Sequence, residues 1–436
     1  MRPAGTRRTS FSLAFFFISA VAGRCLAQPE QDTTGRAAFI QWATPRVRTL
    51  SAPDSTLVQL TLHARIVAFG ESVHDMHELL EWRRDVTAQL LARRPVAAVV
   101  METGLVEGRA IDAWLRGETD TAPEFSRALS YDWWRDTETI GMLRWLHAYN
   151  RGVDVAHRVH FYGMDMPADG GGSLRPALEP VWRFLRDVDP SFADRSRAAL
   201  EPIARALDSD GPAILPLYAS LGRRRDTLQT ELHTLVDRMQ SHAAVYRARS
   251  SPDAYDWALR LTLLALQTET ALRVGWDIPA NPRDQAMASN AEWVLAREGT
   301  RGVIVIWAHN LHVSRGPIGG PLFPTRPPAV ASMGQYLQHD LGSAYVPIGT
   351  AFRLRSDEAS LPSDASSVDG TFRSLRSSHY STYQLDITGA PDQGPVARWL
   401  STPHAMRAED GYVVTVPGSA FDAIAFFDTI HLAHVR

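Results

Sequence analysis

The chain has 436 residues, 45 of them basic and 48 acidic, a formal charge of −3, and every basic residue is an arginine. Without lysine, a phosphate-loop lysine, a Schiff base and a Ser-Lys dyad are all excluded. The mildly acidic balance argues against nucleic acid as a partner, and a single cysteine, Cys25, rules out an internal disulfide framework.

Arg2, Arg7 and Arg8 precede an apolar block from Phe11 to Ala22, and Cys25-Leu26-Ala27 stands before Gln28. This reads as a signal peptide over 1–27 and implies a periplasmic or secreted protein. The block is too short for a permanent span, and Arg24 disfavours lipid attachment at Cys25, so no stable membrane anchor is expected. Residues 1–27 hold four arginines and no acid, so their removal leaves 41 basic against 48 acidic residues, a charge of −7. It also removes the only thiol, and with it any thiolate nucleophile or ligand.

The remainder, 28–436, reads as one α/β domain. Four short β-branched runs organise it: Arg65 to Phe69, Val96 to Met101, Val159 to Tyr162 and Gly302 to Trp307. One helical stretch, Met76 to Leu91, separates the first two, which is the spacing of a parallel crossover. From about 175 to 276 the pattern changes to long amphipathic runs such as Phe192 to Leu207, Leu228 to Tyr246 and Tyr255 to Val274, a large helical insertion between the third and fourth strands. Gly170, Gly171 and Gly172 lead into it. A helix from Arg283 to Arg297, started by Pro282 and stopped at Gly299, runs into the fourth strand. Gly316 to Pro328 is too rich in Gly and Pro for regular structure and is read as a surface loop or a flap. Met333 to Leu337 then reads as helix, and Ala344 to Ile348 and Ala423 to Phe427 as strands, in a largely parallel or mixed central sheet flanked by helices.

Ligands in such sheets bind beyond the carboxyl ends of the strands. Here those ends run into Glu71 and His74, Glu102, Asp165, and His309 and His312. On the first helix, Met76, Leu79, Leu80, Val86 and Leu90 trace an apolar stripe with Arg83 inside it, whereas Arg84 falls on the polar side with His77 and Glu81. A guanidinium on that stripe must meet carboxylates or an anion, and Glu71 and Glu102 are the candidates. Arg283 and Asn290 share one face of their helix, where Asn290 either braces a strand end or touches substrate. No G-x-S-x-G elbow and no H-E-x-x-H run occurs. Water attack assisted by a neutral His base remains: His74 as base, Glu71 or Glu102 orienting it, and Arg83, His309 or His312 near the developing charge.

The strings GESVH at 70–74, Arg83, VVMETG at 99–104, FYGMD at 161–165, RDQAMASN at 283–290, SMGQYL at 332–337 and WAHNLHVSR at 307–315 resemble the erythromycin esterase family over about 66–352. The resemblance implies hydrolysis of the lactone ester of macrolides without metal or other cofactor, with His74 activating water, Glu71 and Glu102 as its acids, Arg83 as its arginine and His309 and His312 as its paired histidines. Asp165, Arg283 and Asn290 are then substrate-side candidates. Ser72, Val73 and Asp75 around His74 are bulkier than the small residues common there in the family.

The leading expectation is therefore a metal-independent hydrolase of small-molecule esters or lactones. A second takes His74, His77, His309, His312 and Glu102 as metal ligands, although His77 lies with Glu81 on the exposed side of its helix. A third is a periplasmic protein that binds a ligand without turning it over.

Overall fold

The β-branched runs form strands whose alternate side chains enter two different cores, as period-2 geometry requires. A computed structural model describes residues 33–50, 56–166, 173–208, 214–275, 277–322, 329–356, 364–375 and 381–434. The expected signal segment, Gly170 to Gly172 and the 323–328 part of the Gly/Pro-rich stretch lie outside these residues. The strands are β1 Arg48–Thr49, β2 Ile66–Glu71, β3 Val96–Gly104, β4 His160–Asp165, β5 Val303–His309, β6 Tyr345–Arg355, β7 Tyr383–Asp386, β8 His404–Ala408, β9 Gly411–Thr415 and β10 Ala423–Ile430.

Eight of them make one sheet in the order β1-β7-β10-β6-β2-β5-β3-β4. The pairs β10–β6, β6–β2, β2–β5, β5–β3 and β3–β4 are parallel, and β7 runs against both of its neighbours. The sheet is thus mostly parallel with an antiparallel component. Although β2 and β3 are joined by one helical crossover, β5 lies between them.

On one face, Ile66, Ala68, Ala98, Val100, Ile304 and Ile306 pack under the helix Pro282–Glu298 and the helix Met333–Leu341. On the other, Val67, Phe69, Val99, Met101, Val305 and Trp307 pack under the helices His77–Leu91 and Thr137–Arg151. Each fully buried Val, Ile or Leu contributes about 1.5–3 kcal/mol, so these runs hold the strand ends in place.

Between β4 and β5 the described chain carries helices and no strand, including Arg175–Val188, Pro190–Ala206, Arg224–Ser241 and Pro252–Val274, with a core of their own. Strands β8 and β9 form a separate antiparallel hairpin whose tip is Glu409-Asp410. Glu409 there takes φ +48°, and its N–H donates to Ser72 O at 2.9 Å. This hairpin, β1, β7 and the Thr137–Arg151 helix go beyond the elements read from sequence.

Candidate active site

The strand order brings the charged ends together. Neighbouring β2, β5, β3 and β4 terminate in Glu71, His309, Glu102-Thr103-Gly104 and Asp165, and Glu71 stands directly across from His309 in the β2–β5 register. Close approach requires glycine at two of these ends. A Cβ on Gly70 would fall 2.2 Å from Asn310 Oδ1, and one on Gly163 would fall 2.1 Å from Gly104 O.

His74 follows β2 in a tight turn in which Asp75 adopts φ +58°. Its Nδ1 lies 2.5 Å from Glu71 Oε1. The other oxygen of Glu71 lies 2.9 Å from Arg83 Nη1, and Arg83 Nη2 donates to Ala308 O at 2.6 Å. Glu71 and Arg83 are both fully buried. This places Glu71, and not Glu102, as the group that orients His74. It also corrects the expectation that Arg83 faces the developing charge: its guanidinium is sealed beneath Glu71 and over Trp134, so its part is to hold that carboxylate in place.

The exposed edge of His74 turns toward His309, with ring centroids 5.1 Å apart, and stacks on Trp133 at 4.8 Å. Glu409, from the hairpin tip, places Oε1 3.7 Å from His74 Nε2 and 3.1 Å from His309 Nε2. The Leu311 N–H donates to His309 Nδ1 at 3.1 Å. The ring proton of His309 therefore resides on Nε2, where Ser72 O, also 3.1 Å away, and Glu409 accept it.

A second half of the site surrounds Glu102. One oxygen accepts from His309 N at 2.9 Å. The other lies 3.0 Å from Arg283 Nη2 and 3.2 Å from His312 Nε2. His312 Nδ1 lies 2.8 Å from Asp284 Oδ1, so its ring bridges two carboxylates. Arg283 also pairs with Asp165 at 2.6 Å and donates to Tyr131 Oη at 3.1 Å. Tyr131 donates to Asp165 at 2.5 Å and stacks on Trp133 at 4.4 Å, which closes the ring of contacts back to His74. His74 and Arg283 retain 20 % and 21 % side-chain exposure, so both present polar atoms to an incoming molecule.

Burial alone would lower the His74 pKa, but Glu71, through its charge and hydrogen bond, and then Glu409 and Glu102 outweigh this and hold it at about 9. Burial likewise opposes charge on His312, and Asp284 and Glu102 reverse it, raising the ring to about 10. For Glu102 the cost of burial is overcome by His312, Arg283 and His74, and its carboxyl sits well below the usual range. Glu409, despite burial, is lowered to about 2 by His309 and His74. Against the expectation of a neutral His74 near pH 7, Glu71, Glu409 and Glu102 favour the imidazolium form in the unliganded protein.

Two further placements follow. Asn290 is fully buried, donates to Met164 O at 2.6 Å and accepts from Arg260 Nε at 2.7 Å. Of its two readings it takes the bracing one, because both ends of its amide are spent within the protein. Asp165 is likewise buried against Arg283, Tyr131 and the Met166 N–H, so it positions Arg283 and is not itself exposed. His77 does not join the set proposed for a metal-dependent centre, since its Nδ1 lies 2.6 Å from Glu138. Sequence reasoning missed Glu409, Asp284, Tyr131 and Trp133. The turn signal Glu409-Asp410-Gly411 between two short alternating runs was readable as a hairpin, whereas its docking against Ser72 was not.

Erythromycin esterases share a sequence pattern that matches residues 92–430 of this chain. Erythromycin esterase type II of Escherichia coli is 25% identical over 295 residues, covering 65% of this chain and 68% of that protein. Among solved structures, a Bacillus cereus protein superposes with a TM-score of 0.76 at 20% identity, covering 92% of this chain and 99% of the other. A histidine variant of the erythromycin esterase EreC in its open conformation gives 0.69 at 17% identity, over 89% and 98% of the two chains. At these identities the two structures speak to the fold alone.

Proposed function

We propose, from the premise that this chain belongs to the erythromycin esterase family, that it hydrolyses carboxylic ester or lactone bonds of a small molecule by direct attack of water, with His74 as base. One observation carries the reading. His74 is held by Glu71 at one nitrogen, its other nitrogen is turned toward His309 and Glu409, and His74 and Arg283 both remain partly exposed. A water beside Nε2 loses a proton to the deprotonated ring as its oxygen bonds to the carbonyl carbon. The oxyanion that forms meets the fixed charges of Arg283 and His312, set before reaction by Asp165, Glu102 and Asp284. Collapse expels the alkoxide, which takes a proton from His74. No residue forms a covalent bond, and the chain's own groups supply every proton movement.

The same reading takes residues 28–436 as one α/β unit with 175–276 as a helical insertion, and the leader at 1–27 as an export signal to the periplasm or beyond. The test is a panel of aryl esters, simple lactones and macrolides incubated in ¹⁸O-labelled water, with products weighed by mass spectrometry. Wild-type protein should place one ¹⁸O in the acid product, and His74→Ala should leave the same substrate intact. Turnover by His74→Ala at the wild-type rate would remove His74 from the mechanism.

A further inference from the structure

A separate convergence of ligand-type side chains lies outside this centre. His77 opens the helix His77–Leu91, Glu138 lies in the first turn of Thr137–Arg151, and His434 follows β10 at the end of the described chain. His77 Nδ1 and His434 Nδ1 each stand 2.6 Å from the same atom, Glu138 Oε1. Their rings are 5.3 Å apart and nearly perpendicular. Among the described residues this is the one group of three His, Cys, Asp or Glu side chains whose ligand atoms converge in this way.

Backbone contacts position all three. The His434 N–H points at the Glu138 carboxylate at 3.2 and 3.3 Å, while His434 O accepts from Thr137 N at 2.9 Å and Thr137 Oγ1 at 2.8 Å. The His77 N–H donates to His431 O at 2.8 Å, and Met76 bridges Leu432. Glu138 is buried, so its oxygen cannot be met freely by solvent. Placing two imidazole nitrogens on one buried carboxylate oxygen is the donor set of a borderline divalent metal; calcium and magnesium prefer oxygen-only shells.

We infer that His77, Glu138 and His434 form a binding site for a zinc-type divalent ion, with Glu138 Oε1 and the two Nδ1 atoms as ligands and water completing the shell. As the side chains stand, two ring N–H groups share one oxygen; an ion takes the place of those two protons, and each neutral ring then carries its one proton on Nε2, with Nδ1 free to ligate. Ligands at ~2.0–2.1 Å in a tetrahedron are about 3.3 Å apart, so each ring must withdraw by about 0.7 Å. His77 and His434 are 37 % and 72 % exposed and free to make that swing. Two helix N-termini oppose a cation here, and each weakens its binding. The bound ion would pin the C-terminal segment to the helices that begin just after the His74 turn and the Trp133-Trp134 loop.

Tag-free protein stripped by chelator dialysis is titrated with Zn²⁺ by calorimetry and with Co²⁺ by visible absorption. Wild type should take up one equivalent and gain about 3 °C in Tm at a hundredfold excess over Kd. His77→Ala and His434→Ala should each weaken binding by at least about tenfold, while His74→Ala binds as wild type. The exposed position of His434 keeps its variant folded, and the wild-type titration stands without any variant. Absence of a stoichiometric ion in wild type, or undiminished affinity in both histidine variants, would overturn the assignment.

Discussion

Glu409→Gln isolates the electrostatic part of the site while preserving its shape. Across the 3.7 Å to His74 Nε2, Coulomb's law gives about 1 kcal/mol in a water-like medium and ~4 kcal/mol at an effective dielectric of ~20. Glu409 is 37 % exposed, so screening places the interaction near the lower figure, on the order of 1 kcal/mol. At ~1.4 kcal/mol per pH unit, the His74 pKa should fall from about 9 by roughly 0.8 unit. With His74 as the base, wild-type kcat/KM should rise tenfold per pH unit on the acid side and level off above about 9. The variant should reach its plateau earlier, and its neutral fraction at pH 7 should grow from about 1 % to about 6 %, a sixfold gain in kcat/KM. The assay is a pH–rate profile of both proteins on whichever ester the panel identifies. An acid limb that stays put or moves upward, or loss of turnover at every pH, would refute this account of His74 and make Glu409 a direct participant.

Other outcomes follow from the same contacts. His74 and His312 have folded pKa values of about 9 and about 10, above their unfolded value of ~6.5. Their contribution is thus complete below ~6.5 and is lost as pH rises through the folded values, and the urea midpoint should fall between pH 6.5 and 9.5; a flat midpoint across that range contradicts the site electrostatics. Arg83→Met leaves the Glu71 carboxylate buried without its partner and should cost about 3–5 kcal/mol in chemical denaturation, whereas a cost under ~1 kcal/mol would mean the pair is solvated. Asn290→Ala strands Met164 O and the Arg260 guanidinium and should cost about 2 kcal/mol, with kcat/KM of the folded protein within about twofold. A much larger kinetic loss would return Asn290 to the substrate.

The four central strands and their charged ends were legible because β-branched runs followed by polar residues have few other solutions in an α/β chain. Arg83 was separable from Arg84 because helical periodicity leaves one of them on the apolar stripe, and the structure buries that one. The partner of Arg83 and the orienter of His74 were not separable, since Glu71 and Glu102 end strands with β5 between them and only the register assigns each its neighbour. Glu409 escaped because it lies 335 residues from His74 on a hairpin outside the main sheet. Short β1 and β7, with two and four residues, carry too little pattern to be read.

Strand β10, the last in chain order among the described residues, is not at an edge but between β6 and β7. Until residues 423–430 are available, β6 has an open flank and β7 has no parallel body to join, so the nascent chain holds unpaired backbone through most of its synthesis. Competent molecules should therefore form only once β10 has left the ribosome, and chains cut short before it should go to proteolysis or aggregation and not persist as weakened forms.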